Sequence, residues 1–311
     1  MAKIPQIIVP NRRVREILKL LDRTPLPAHL ILKASVTFGT DEQPDEGFTD
    51  IRRVRERMQH LASAGLVAIR EYAFAAHGVM NFYHLTAAGH RVLYHAEPPA
   101  ADGGFFREVA VTRREHTLAL AKVIVHTLVG AHRRGIRVVG FKRENRFPVA
   151  AAGRVQKPDG VWQFETGGRL FNYLVELDMG TAPVEAASAS SIANKIATYE
   201  AYYDAAWNAW KASGLQGRRP RLRVLFLTSG IERAQHILRL AARLARNPDR
   251  RLVVAVTIDS YLGEDDPLCE PLLLDHRGHW QALVNLHPSS PFQRPPVRLG
   301  RGEVESEAVF C

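Results

Sequence analysis

The sequence predicts an α/β chain, α+β overall, in two parts: a small helical unit with a β-hairpin, then a mixed sheet flanked by helices. Three observations carry that expectation. The first ninety-five residues show apolar positions at helical spacing three times over, then switch to alternation. A Pro/Ala/Gly stretch, AEPPAADGG at 96–104, interrupts the pattern and reads as a linker. Beyond it a long helical run, a three-strand meander, a helix, a strand, a helix and a strand follow, and helices alternating with strands cover a mixed sheet.

In the first part, RRVREILKLLD places Val14, Ile17, Leu18 and Leu21 on one helical face, and Pro25 stops it. A short helix over 27–35 and the acidic loop GTDEQPDEG lead to Thr49 as the expected N-cap of a third helix. That helix, DIRRVRERMQHLASAG, has Ile51, Val54, Met58 and Leu61 as its inner stripe and Gly65 at its end. LVAIREYAF and VMNFYHL then alternate like hairpin strands before the helical TAAGHRVLYH. This order is that of a winged helix-turn-helix over 1–95. Arg52, Arg53, Arg55, Arg57, Gln59 and His60 lie off the apolar stripe, where a third helix can meet a major groove or phosphates. The same arginine run could be only a solvated face, and winged helices also dock proteins.

In the second part, 105–286, REVAVTRREHTLALAKVIVHTLVGAHRRG forms the long helix. The strands are IRVVGFKRE, RVQKPDGVWQF and, after the turn ETGGR, LFNYLVELDMGT. Helix SSIANKIATYEAYYDAAWNAW, strand RLRVLFLTS, helix IERAQHILRLAARLAR and strand RLVVAVTID complete it. EDDPLCEPLLLDHRGHWQALV reads as an edge hairpin or a partner-binding segment, and 287–311 as a mobile tail.

Composition narrows the function. An apolar fraction of 46% with 24% charged residues is that of a globular protein. No apolar run approaches the roughly eighteen residues that cross a bilayer, so no membrane partner and a cytoplasmic location are expected. Cys269 and Cys311 make neither a disulfide framework nor a metal pair. The net charge of +10 favours a polyanion. Lys and Arg exceed Asp and Glu by 13 to 9 over 1–95, 15 to 11 over 101–215 and 14 to 11 over 216–311, so no single basic tail accounts for it. No GxxxxGK[ST] loop, GxSxG elbow or HExxH motif occurs, which leaves ATP hydrolysis, acyl transfer and zincin chemistry unsupported.

The most informative segment is KPDGVW, with VELDMGT downstream. It sets Asp159, and seventeen residues later Glu176 and then Asp178, at the ends of consecutive strands rich in Val, Trp, Tyr and Leu. Acids grouped at half-buried strand ends carry a desolvation cost that a divalent cation would offset. Asp159 before Gly160 could instead be a turn residue, and Glu176 alone a surface acid.

With the following helix, this pattern is similar to the PD-(D/E)XK restriction-endonuclease-like superfamily. With the winged-helix segment ahead, the chain resembles the replication-relaxation family of plasmids and mobile elements over roughly residues 10–260. The resemblance implies a Mg²⁺- or Mn²⁺-dependent DNA endonuclease, or a DNA-binding accessory factor that keeps the fold without turnover. Asp159 matches the motif aspartate and Glu176 the motif glutamate, both metal ligands. Asp178 stands where the family pattern has lysine; it could hold a second metal but supplies no ammonium. Lys195, on one helical face with Tyr199, would restore that ammonium. Glu144 is a further acidic candidate, and Arg143, Lys157 and His116 are phosphate-binding candidates. Implied partners are double-stranded DNA, a second copy of the chain in a homodimer, and other mobile-element proteins. His116 and His126, and Tyr199, Tyr202, Tyr203, Trp207 and Trp210, read more simply as packing residues.

Overall fold

The computed structural model of the protein describes residues 11–39, 47–100, 104–144, 146–186, 188, 190–215 and 220–285. The tail expected over 287–311, much of the acidic loop before the third helix and residues 101–103 of the linker fall outside them. The chain divides into two compact units, Met1–His132 and Arg133–Cys311.

In the first unit, α1 (Arg12–Arg23) starts where the Asn11 side chain accepts from the Val14 N–H, and it buries Val14, Ile17, Leu18, Leu20 and Leu21. β1 (Leu26–Pro27), α2 (Ala28–Ala34) and a short 3₁₀ turn lead to α3 (Ile51–Ser63). The cap of α3 is Asp50, which accepts from the Arg53 N–H at 3.0 Å. This corrects the expected Thr49 cap, since Asp50 holds the extended backbone and the carboxylate reach that a cap needs. Val54, Met58 and Leu61 are buried, whereas Ile51 is only half-buried. β2 (Val67–Phe74) and β3 (Gly78–Leu85) form the hairpin, and β1 pairs with the far edge of β3 in a three-stranded antiparallel sheet. α4 (Ala87–Tyr94), capped by Thr86, follows, and α5 (Arg114–Arg133) falls almost wholly within this unit.

The second unit is built on a seven-stranded mixed sheet. β4 (Arg137–Arg143) pairs antiparallel with β7 (Gly160–Thr166), and β7 with β8 (Arg169–Asp178). Parallel pairings then join β8 to β9 (Arg223–Thr228) and β9 to β10 (Val253–Thr257). β11 (Leu273–Asp275) and β12 (Trp280–Gln281) close the far side as an antiparallel edge hairpin, giving the order β12-β11-β10-β9-β8-β7-β4. The β7–β8 turn is a two-residue loop, Gly167-Gly168, with Thr166 opposite Arg169 and φ of 53° and 69°. Two consecutive positive φ values define a turn that side-chain-bearing residues enter at a cost, so the glycine pair fixes the hairpin register.

One sequence expectation is corrected here. RVQKPDGVWQF is not a single strand: β5 (Val149–Ala151) and β6 (Arg154–Gln156) form a separate two-stranded hairpin, and the chain rejoins the main sheet at Gly160. Pro158 supplies the break, because it has no N–H to give a ladder and holds Lys157 in extended geometry.

Two helices pack on one face of this sheet. α6 (Ile192–Ala212), capped by Ser191, contributes Ile192, Ile196 and Tyr199 to a core that includes Leu174, Val224, Phe226 and Ala255. α7 (Ile231–Leu244) adds Ala234, Ile237, Leu238, Leu240 and Ala241. A short α8 (Ile258–Gly263) follows β10. Among the described residues, no helix is long and apolar enough to cross a membrane.

Candidate active site

Side chains alternate across a strand, so Leu174, Glu176 and Asp178 of β8 share the face that carries α6. Gly160 pairs with Val175, which brings the preceding Asp159 beside Glu176 at the strand ends. Gly160 opens β7 instead of closing a turn, and a Cβ there would stand 3.0 Å from the Trp162 ring nitrogen. Gly160 therefore belongs to the sheet, with Asp159 in the bend just before it, and glycine at 160 leaves room for the buried Trp162.

The three acids are all buried, with Asp159 at 8%, Glu176 at 1% and Asp178 at 5% relative exposure. Their partners differ. Asp159 Oδ2 accepts from the Leu177 N–H at 2.8 Å, which ties its carboxylate to β8. Glu176 receives Lys195 Nζ on Oε2 at 2.5 Å and the Tyr199 hydroxyl on Oε1. Lys195 and Tyr199 stand one turn apart on α6 and reach down to the sheet together. Asp178 is held by Arg233 of α7, with Nε on Oδ2 at 2.5 Å and Nη2 on Oδ1 at 3.2 Å; the same guanidinium also donates to the Ala182 carbonyl.

Burial pushes the Glu176 carboxyl up to about 7; Lys195 pulls it down, and the negative charge of Asp159 pushes it up again. Burial lowers the Lys195 ammonium, but Glu176, by charge and hydrogen bond, outweighs this and leaves it raised. The two shifts pull differently on one pair, since a raised carboxyl favours sharing the proton and a raised ammonium favours the ion pair. The geometry favours the ion pair: the Lys195 ammonium meets one oxygen of Glu176 and the Tyr199 hydroxyl the other, an arrangement in which a carboxylate accepts from both. Burial first, and Glu176 second, raise the Tyr199 phenol, so it remains the hydroxyl donor.

Among the described residues, no group of three or more His, Cys, Asp or Glu side chains is arranged to hold a metal. A two-carboxylate set is still a fit for Mg²⁺, which is commonly bound through one or two carboxylates together with substrate phosphates and water. Glu176 keeps acceptor capacity, because each carboxylate oxygen has two lone pairs and takes one of these two donors.

Other sequence candidates are placed as follows. Arg143 is buried and lies opposite Gly160 in the β4–β7 register, so it borders the constellation. Glu144 is half-buried just beyond β4, and Lys157 is exposed two residues before Asp159. His116 stands on α5 in the first unit, as do the α3 residues Arg52, Arg53, Arg55, Arg57, Gln59 and His60. Of these α3 side chains, Arg57 is half-buried and the others are exposed. Arg233 is the functional partner that sequence reasoning missed. The only available signal was indirect: an acid predicted at a buried strand end needs a cation, and α7 offers several arginines.

Fold and site together define a two-unit chain in which the strand ends of a mixed sheet set buried Asp159 and Glu176 against a half-buried Lys195 from α6. A family model described as Replication-relaxation matches residues 36–218. The chain belongs to the replication-relaxation family. A search of the curated proteins gives no match. Among solved structures, the chain matches that of the restriction endonuclease FokI at 10% identity with a TM-score of 0.27, over 82% of this chain and 44% of that one. It thus spans less than half the length of that structure.

Proposed function

We propose that the chain is a DNA-binding protein of a plasmid or mobile element, with a winged-helix first unit and a second unit that hydrolyses phosphodiesters with Mg²⁺ or Mn²⁺. The observation that carries this reading is the Lys195–Glu176 contact beside Asp159. A lysine from a helix meets the motif glutamate across nineteen residues of sequence, in place of the lysine that Asp178 displaces. Asp159 and Glu176 would hold the cation, which when bound would lower the pKa of water and offset charge on the leaving oxygen. Leu177 N–H and Tyr199 fix the rotamers of the two carboxylates. The Lys195 ammonium orients the attacked phosphate and stabilises charge that grows on its oxygens in the transition state. Asp178, engaged by Arg233, pins the strand end to α7. In the first unit, the exposed Arg52 and Arg53 side chains on α3 supply duplex contacts.

The purified chain should nick or cut plasmid DNA with Mg²⁺ or Mn²⁺ and not with Ca²⁺ or chelator. Asp159→Ala and Glu176→Ala should abolish cleavage while retaining most DNA affinity. Cleavage that survives either substitution removes this constellation from the reaction. A second reading, a non-catalytic DNA-binding factor, is favoured by one feature: both carboxylate oxygens of Glu176 already carry donors, and the third acid is claimed by Arg233. Metal-independent DNA binding without cleavage in every metal tested is its signature.

A further inference from the structure

The other end of β8 carries a different chemistry. A cavity of about 730 Å³ opens in the second unit around Arg169–Tyr173, the last turns of α6 and the segments entering β9 and β10. At ~3.3 Å per strand residue, its lining on β8 runs from about 10 Å (Tyr173) to about 23 Å (Arg169) along the strand from Glu176. Seven of its lining residues are Arg or Lys and two are Asp. Acids meet part of this charge, Asp204 with Arg246 at 3.3 Å and Arg250 at 2.8 Å, Glu200 with Arg250 at 3.2 Å and Asp275 with Arg251 at 3.4 Å, and the cations still outnumber them. Arg221 and Lys211 are exposed at the cavity.

The aromatic side chains of α6 line the same space. Tyr203 and Trp207 lie nearly parallel, 19° between planes with centroids 6.3 Å apart, and Lys211 Nζ sits 5.6 Å from the Trp207 ring centre. Arg250 covers Tyr203 at 4.7 Å and is itself held by Glu200 and Asp204, so Tyr203 is committed to packing. Trp207 is half-buried and lines the cavity.

We propose that this cavity binds a single-stranded stretch of nucleic acid, with a base stacked on Trp207 and flanking phosphates on Lys211 and Arg221. An aromatic face inside a cationic groove takes an unstacked base, which a paired duplex does not offer. The volume lies within the roughly 300–1,000 Å³ of small-molecule and cofactor pockets, enough for one base with its sugar. Cations contributed by several elements, without a phosphate-binding glycine loop, suit a tracked backbone better than a pyrophosphate. The proposal rests on the nucleic-acid-binding reading above but needs no catalysis at Glu176.

The test is fluorescence anisotropy of the full chain with a short labelled oligo(dT) and with a duplex of equal length, over a salt series. Trp207→Ala should weaken oligo(dT) binding about tenfold, and Trp207→Phe should retain most of the affinity. Lys211→Ala combined with Arg221→Ala, two surface changes that leave the core intact, should lower single-strand affinity and reduce the log–log salt slope by roughly 1.4. Duplex affinity should remain at the wild-type level in all three. Unchanged oligo(dT) binding in the surface double variant overturns the proposal even if Trp207→Ala does not fold. Equal losses for single strand and duplex also overturn it, as diffuse charge. Displacement of the oligonucleotide by ATP as efficiently as by unlabelled oligo(dT) overturns it in favour of a mononucleotide pocket. Wild-type protein that cuts plasmid but does not bind oligo(dT) defeats this inference alone, whereas failure of all DNA binding defeats the functional reading as well.

Discussion

The two units place charge differently. On α3 of the first unit, Arg52 and Glu56 pair at 2.9 Å with 87% and 55% of their side chains exposed. At the sheet end of the second, Lys195 and Glu176 pair at 2.5 Å with 22% and 2% exposed. An exposed pair contributes about 0–1 kcal/mol and is readily exchanged for a phosphate. A buried pair has given up its water, so neither partner leaves without cost unless another charge replaces it. The first arrangement suits reversible contact with a polyanion, and the second suits a group held ready for chemistry.

The largest effect expected from that contrast is at Arg233. Arg233→Ala leaves the buried Asp178 carboxylate without its guanidinium and should cost about 3–5 kcal/mol in urea unfolding. Adding Asp178→Asn should restore much of the loss. If Asp178→Asn alone ends cleavage without changing stability, Asp178 is a metal ligand and not an anchor.

An exception within the first unit sharpens the comparison. His84 is 2% exposed, its Nε2 lies 3.0 Å from the Tyr72 hydroxyl, and burial, with Arg70 adding to it, lowers its pKa to about 4. The unfolded chain takes up this proton near pH 6.5 and the folded chain not until about 4. The stabilisation is therefore complete above about pH 6.5 and is lost as pH falls through that window. The loss should be about 2 kcal/mol at pH 5, and His84→Gln should flatten the dependence in denaturant titrations. A slope unchanged by His84→Gln would assign the acid sensitivity elsewhere.

The smallest effect on stability belongs to the exposed arginines. Arg52→Ala with Arg53→Ala should change unfolding free energy by no more than about 1 kcal/mol, yet lower duplex affinity and the log–log salt slope by roughly one unit per lost phosphate contact. Unchanged affinity and salt dependence would make α3 a protein-docking helix.

Much of this arrangement was legible in the sequence because it is local. Period-3.6 stripes located α1 and α3, the Gly167-Gly168 pair marked the hairpin that sets the β7–β8 register, and the i, i+4 spacing put Lys195 and Tyr199 on one face. Asp50 displaced Thr49 as the cap by a difference of one residue in backbone geometry, which composition does not encode. The β5–β6 hairpin was hidden because RVQ and GVWQF both alternate, and only Pro158 between them signalled the break. Arg233 and the cationic cavity depend on contacts between distant segments: Asp178 and Arg233 are 55 residues apart, and the cavity joins β8, α6 and the segments before β9 and β10. Tyr203 and Trp207 do pack along the helix, stacked on each other, and the sequence did not signal that both also line a cavity.

The most direct test of the central claim is single-turnover cleavage by Lys195→Met with saturating Mg²⁺, on protein shown by thermal melting to be folded. The substitution keeps the chain length and removes the ammonium from Glu176. If Lys195 stabilises charge at the attacked phosphate, the rate should fall by on the order of a hundredfold or more, with DNA affinity little changed. A folded Lys195→Met protein that cuts at the wild-type rate would contradict the assignment and leave Lys195 as a structural counter-ion.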